Sequence, residues 1–183
     1  RAAGPAGHTD ILGRTGRNTR PGEAHWERKL GLGHDLEATG KTALLTEVQF
    51  SSDLADIHYV RQGDPLGLGH AVACARHHVG NEPFAVLLAD DLMVGPVGGQ
   101  SVLAQMVEQY AEWRASILAV QEVPAEHTRR YGIVAGTTVN DKVMDVSRLV
   151  EKPAPEDAPS RLGVAGRYIL TPGIFHEIAN QPR

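Results

Sequence analysis

The sequence predicts an α/β fold built around a parallel sheet, and three neighbouring stretches carry that expectation. Phe84-Ala-Val-Leu-Leu-Ala89 is continuously apolar between Pro83 and Asp90, as a central strand covered on both faces would be. From Ser101 to Ala115 the side chains of Val102, Leu103, Met106, Tyr110 and Trp113 recur at three-to-four spacing, one face of a helix with Ser101 as its N-cap. Ile117-Leu-Ala-Val-Gln-Glu-Val123 then returns to strand character. Strand, helix and strand in such close order imply a parallel pair with a right-handed crossover.

The other elements fall around this centre. Residues 1–22 hold five Gly and two Pro among scattered Arg and Thr, so they read as an irregular opening segment with at most a short strand at Asp10-Ile-Leu12. The domain proper is expected over 23–183. Residues 23–48 suggest helical pieces interrupted by Gly31, Gly33 and Gly40. Asp56-Ile-His-Tyr-Val60 is a short strand, and Gly63 to His70, with three Gly and one Pro, is a loop running into a helix at Ala71 to Arg76. Beyond Val123 the pattern shifts to strands at Tyr131 to Ala135, Val143 to Val150 and Ala165 to Leu170. Thr171-Pro172 then opens a closing helix through Ile174, Phe175 and Ile178.

Composition narrows the functions available. The 183 residues are 42% hydrophobic, which argues against disorder, and no apolar run reaches the roughly 18 residues of a spanning helix. A net charge of −4 with no basic stripe speaks against nucleic acid as a partner, while a small anion needs only one or two local cations. One cysteine, Cys74, excludes an internal disulfide and suits a reducing compartment, the cytoplasm by default. The start at Arg1 and the end at Gln181-Pro182-Arg183 suggest a piece of a longer chain.

Three short motifs can carry chemistry. Asp90-Asp91 follows the apolar strand, where open α/β sheets place ligands. A carboxylate there is either a Mg²⁺ ligand for a nucleotide or simply the end of a strand. Gly67-Leu68-Gly69-His70 lets backbone N–H groups approach a ligand, or is an ordinary glycine-rich loop. It is no dinucleotide fingerprint, because Val72 stands at the third glycine position. Glu151-Lys152-Pro153 pairs an acceptor for sugar hydroxyls with a cation for phosphate, or is a surface charge pair before a turn. The nine histidines show no paired ligand spacing, Cys74 reads as a small core residue, and no nucleophile elbow occurs.

Taken together, five segments closely resemble the bacterial UTP–glucose-1-phosphate uridylyltransferase (UDP-glucose pyrophosphorylase) family in order and spacing. They are Val60-Arg-Gln-Gly-Asp-Pro-Leu-Gly-Leu-Gly-His-Ala71, Pro83 to Leu92, Tyr131-Gly-Ile-Val134, Val150-Glu-Lys-Pro153 and Val164-Ala-Gly-Arg-Tyr168. The resemblance runs from about residue 42 to the C-terminus. It extends more faintly to Asp10-Ile-Leu12, Arg14-Thr-Gly-Arg17 and Leu36-Glu-Ala-Thr-Gly-Lys41.

The resemblance implies a Rossmann-like nucleotidyltransferase fold with a mixed, mostly parallel sheet, truncated at the N-terminal first strand. It implies an enzyme that joins UTP and α-D-glucose 1-phosphate into UDP-glucose and pyrophosphate with Mg²⁺, in a homo-oligomer. By match to the family's motifs, Gln62, Gly67, Leu68 and Gly69 would hold the uracil and ribose side, and Asp90 would bind Mg²⁺. Gly132, Glu151 and Gly166 would line the glucose pocket, and Lys152 would hold the sugar phosphate. The family's GxGTR-type loop, its following lysine and its distal second acidic metal ligand have no counterpart in these residues. Little or no turnover by the 183-residue chain alone is therefore expected. The alternatives are a nucleotidyltransferase for another base or hexose 1-phosphate, and an inactive sugar-nucleotide-binding or assembly domain.

Overall fold

The computed structural model describes residues 10–15, 30–52, 56–95 and 97–181. Most of the irregular opening segment, the boundary at residues 22 and 23, and most of Pro21 to His34 lie outside them. The chain divides into two compact units: Arg1–Glu82 with Pro172–Arg183, and Pro83–Thr171.

In the first unit, strands β1 (Asp10–Thr15) and β2 (Asp56–Arg61) pair in parallel, Asp10 opposite Asp56 through Thr15 opposite Arg61. The strand expected to be confined to Asp10-Ile-Leu12 thus runs on to Thr15, because β2 supplies partners that far. Helix α1 (Leu30–Ala38) contains Gly31 and Gly33 rather than breaking at them. A Cβ on Gly33 would sit 3.8 Å from Leu45 on the next helix, an ordinary contact, so nothing in the packing demands a glycine there. Gly40 does end the helix, with φ 68. Its N–H bonds the Glu37 carbonyl and that of Lys41 bonds Leu36, the double closure of a left-handed helix cap.

Helix α2 (Thr42–Ser52) follows, and helix α3 (Leu68–Cys74) starts within the glycine-rich loop, earlier than its expected beginning at Ala71. Gly67 makes that early start possible, since its φ of 94 is a conformation L side chains rarely adopt. Helix α4 (Arg76–Val79) continues after a break at Ala75. The closing helix α6 (Ile174–Asn180), preceded by the Thr171-Pro172 signal, buries Phe175 and brings Ile178 against Gly69. Among the described residues no helix is long and apolar enough to cross a membrane.

The second unit is a five-stranded sheet with helix α5 (Val102–Trp113) packed on it. The helix matches its expectation closely: Ser101 Oγ accepts from Ala104 N–H at 3.2 Å, and Leu103 and Met106 are buried. It joins β3 (Phe84–Leu87) to β4 (Ile117–Glu122), and both strands pair antiparallel with β7 (Leu162–Leu170). β3 and β4 therefore run in the same direction, as the strand–helix–strand pattern requires. They are not neighbours, because β7 occupies the slot between them in the opposite sense.

That insertion corrects the reading of 84–89 as a central strand of a parallel sheet. β3 ends at Leu87, is only half-buried, and has β7 as its one strand partner among the described residues. A continuous apolar run reports burial, not strand direction. The sheets as a whole mix parallel and antiparallel pairs, as the fold class anticipates, but among the described strands only β1–β2 is parallel, so the mixture is mostly antiparallel rather than mostly parallel.

A 3₁₀ turn (Ala125–Arg130) leads into the hairpin of β5 (Gly132–Asn140) and β6 (Val143–Glu151). Gly136 is required there, since a Cβ would lie 1.9 Å from the Asp145 carbonyl. β5 also pairs with the start of β7, Ile133 opposite Gly163 and Val134 opposite Leu162. Ile133, Val134, Ala165 and Ile169 are buried at this junction and form the core with Leu103 and Met106.

Candidate active site

The second unit places its chemistry where two strands part. Along one edge of β7, β3 pairs with residues 167–170 and β5 with 162–163, leaving Val164 to Gly166 between them. Such a divergence at the carboxyl end of a strand is where α/β sheets open a crevice. The turn after β3 closes one side of it. Leu88 N–H donates to the Gly166 carbonyl at 2.9 Å, and Gly166 N–H returns a bond to Asp91 Oδ2 at 2.7 Å.

The two adjacent aspartates thereby acquire different tasks. Asp91 is structural, its carboxylate spent on Gly166. Asp90 is exposed, and its carboxylate has no hydrogen-bond or ion-pair partner among the described residues. Gly166, expected to line a pocket, is itself a close contact: a Cβ would lie 2.9 Å from Leu88 Cβ and 3.1 Å from Asp91 Cβ.

The opposite side is built by the hairpin. Gly132 opens β5 directly across from Glu151 at the end of β6, and a Cβ on Gly132 would stand 3.3 Å from Glu151 Oε2 and 3.8 Å from Val164. Lys152 then turns the chain in the left-handed region, φ 48, while its N–H donates to the Tyr131 carbonyl at 3.0 Å. The turn expected from Pro153 is thus made by Lys152 itself, a conformation that costs a side-chain-bearing residue about 1–2 kcal/mol. Buried Thr128 anchors the backbone just beyond it, with its hydroxyl 3.2 Å from the Pro153 carbonyl. The outcome is that Glu151 and Lys152 point the same way, with Nζ 3.4 Å from Oε1. Both heads are largely exposed, so the pair adds little stability, and its consequence is one acceptor and one cation side by side.

Arg167 and Tyr168 lie in the Val164–Tyr168 segment of the resemblance, which implied a role for Gly166 but none for them. Burial pushes the Tyr168 phenol above its ordinary range, and the carboxylates of Glu151 and Asp91 raise it further. Arg167 is 8% exposed in the most buried strand of the sheet. An arginine at the centre of an apolar strand was the available signal for its unusual role.

The first unit holds the remaining candidates. Gln62 is 3% exposed, and its amide nitrogen lies 2.8 Å from His70 Nδ1 and 3.3 Å from the Gly67 carbonyl. It therefore braces the loop from inside. Gly67 and Leu68 are exposed at the loop's outer face, and Gly69 packs against Ile178. Gln62, Gly67, Leu68 and Gly69 are thus gathered in one loop of this unit, and Asp90, Gly132, Glu151, Lys152 and Gly166 around one crevice of the other.

A sequence model described as Nucleotidyl transferase matches residues 32–183. The chain belongs to the nucleotidyl transferase family. The chain is 47% identical over 173 residues to UTP–glucose-1-phosphate uridylyltransferase YngB of Bacillus subtilis (strain 168), covering 94% of this chain and 57% of the relative. A UDP-glucose pyrophosphorylase from Acinetobacter baumannii superposes with a TM-score of 0.90 at 36% identity, over 99% of this chain and 64% of that one. A UDP-glucose pyrophosphorylase complexed with UDP-glucose gives 0.85 at 39% identity, over 96% and 63%. The chain therefore spans about three-fifths of the length of these relatives. Its mixed α/β fold is theirs.

Proposed function

We propose that this nucleotidyl transferase acts in uridylyl transfer from UTP to α-D-glucose 1-phosphate, giving UDP-glucose and pyrophosphate. The observation that carries the reading is the Glu151–Lys152 corner, which sets a hydroxyl acceptor 3.4 Å from a cation at the rim of the crevice beside β7. Glu151 accepts from paired sugar hydroxyls, Gly132 leaves room for the ring, and Lys152 neutralises the sugar phosphate. The exposed loop at Gly67, Leu68 and Gly69, braced by Gln62, takes the uracil and ribose.

Asp90 fits a divalent cation, Mg²⁺ in this reading. It is an unpaired oxygen donor on a fixed turn, and Mg²⁺ is commonly held by one or two carboxylates with phosphate and water oxygens. The cation supplies charge neutralisation at the phosphates. In the reaction a phosphate oxygen of the sugar attacks the α-phosphorus of UTP in line and pyrophosphate leaves. The chain's own work is positioning and charge balance, and no protein nucleophile is needed. A lone Cys74 with no disulfide is in keeping with a cytoplasmic protein, and exposed Leu92 and Val94 with a homo-oligomer.

The test is calorimetric titration of the chain with UDP-glucose and Mg²⁺ beside a Glu151→Ala/Lys152→Ala double variant. Binding is expected in the parent and at least tenfold weaker in the variant. A folded parent that takes up no UDP-glucose refutes the reading.

A further inference from the structure

Arg167 is a buried cation with no ion-pair partner among the described residues, and its guanidinium bonds the two ends of one short turn and the Gly166 carbonyl that the turn itself bonds. Nη1 donates to the Leu88 carbonyl at 2.9 Å and to the Gly166 carbonyl at 2.8 Å, and Nη2 donates to the Asp91 carbonyl at 2.6 Å. The two nitrogens of one planar guanidinium thus grip the turn at both ends, Leu88 and Asp91. Three more bonds close the frame: Leu88 N–H to Gly166, Gly166 N–H to Asp91 Oδ2, and Asp91 N–H to the Leu88 carbonyl at 3.3 Å. Between the gripped ends stands Asp90, whose carboxylate is the one acidic group of the turn left unengaged.

Carbonyl dipoles repay only part of the cost of stripping water from a guanidinium, so an apolar side chain in this place would serve stability about as well. What an apolar residue could not do is hold two carbonyls a fixed distance apart. We propose that Arg167 is a positioning residue for Asp90, a clamp that fixes the turn so that the Asp90 carboxylate is presented in one orientation to a divalent cation. The proposal rests on the reading of Asp90 as a cation ligand. It adds that the affinity of that ligand is set from the neighbouring strand.

Lysine keeps the charge but gathers its three donors on one nitrogen, so it lacks the two-nitrogen fork that reaches both ends of the turn. The experiment follows Mn²⁺ broadening of the Asp90 and Asp91 amide signals by NMR, in the presence of UDP-glucose, for the 183-residue chain and for Arg167→Lys, Arg167→Met and Asp90→Asn. Asp90→Asn is expected to abolish the local broadening with the rest of the spectrum unchanged. Arg167→Lys is expected to raise the Mn²⁺ concentration for half-broadening about tenfold, in the range typical of lost outer contacts to a metal ligand, in a protein that remains folded. Arg167→Met should do at least as much.

Unchanged broadening in Asp90→Asn overturns the cation reading and the clamp with it. Lost broadening in Asp90→Asn beside a parent-like response in folded Arg167→Lys overturns the clamp alone. If neither arginine variant folds, Arg167 is a stability residue and the proposal fails.

Discussion

Two segments of this chain do the same job with different materials. The loop after β2 and the turn after β3 both leave a strand, and both are held by a buried side chain that reaches back to backbone carbonyls. In the first, the neutral amide of Gln62 serves the exposed Gly67 carbonyl and His70 at the helix start. In the second, the charged fork of Arg167 grips Leu88 and Asp91 while Gly166 presses against them with no room for a Cβ. Gly67, by contrast, has nothing within 4 Å of where its Cβ would be. If the loop takes the uracil and ribose as proposed, an open, adaptable surface suits it. If Asp90 meets a small cation as proposed, it needs a frame that cannot shift.

This contrast predicts that crowding matters in the turn. Gly166→Ala places a methyl 2.9 Å from Leu88 Cβ and 3.1 Å from Asp91 Cβ, both fixed to the backbone and unable to rotate aside. The expected loss is about 1–3 kcal/mol in urea unfolding, with weaker Mn²⁺ broadening at Asp90. A variant as stable as the parent would show that the turn yields, and the contrast with the loop would collapse.

Gln62→Leu sharpens the comparison from the other side. The exposed Gly67 carbonyl can turn to water while His70 Nδ1 also loses its partner, so the cost should be about 1–2 kcal/mol, the net value of the hydrogen bonds lost. UDP-glucose binding should weaken severalfold in calorimetry, because the loop loses its internal brace. A stability loss equal to that of Gly166→Ala would mean that both segments are equally rigid.

The same contrast explains what the amino-acid sequence disclosed. Helix α5 was legible to its cap, because Ser101 and the spacing of Leu103 and Met106 are local signals. The order of β3, α5 and β4 was legible, but not the strand between them, since β7 arrives 75 residues after Asp91 through the bond at Gly166. For the same reason Asp90 and Asp91 were indistinguishable in sequence. Only the contact with Gly166 assigns one to the frame and leaves the other free. Glu151 and Lys152 were recognisable by type and motif, whereas the left-handed backbone that aligns them has no glycine to announce it.

The smallest expected effect concerns Tyr168, whose phenol is held above its ordinary value of 10.0 by burial first, then by Glu151, then by Asp91. A raised value means that folding favours the protonated phenol. Its contribution to stability is complete below about pH 10 and is lost as pH climbs through the folded value. Urea unfolding across pH 9 to 11, for the chain beside Tyr168→Phe, should show a decline in the parent that the variant lacks in part. Glu151→Gln should bring Tyr168 ionisation to lower pH, read by phenolate absorbance after subtracting Tyr168→Phe, without returning it to an ordinary phenol, because burial remains the larger cause. If Glu151→Gln leaves the titration where it was, the Glu151 carboxylate does not act on the phenol. Burial and the Asp91 carboxylate would then remain as the causes of the raised value.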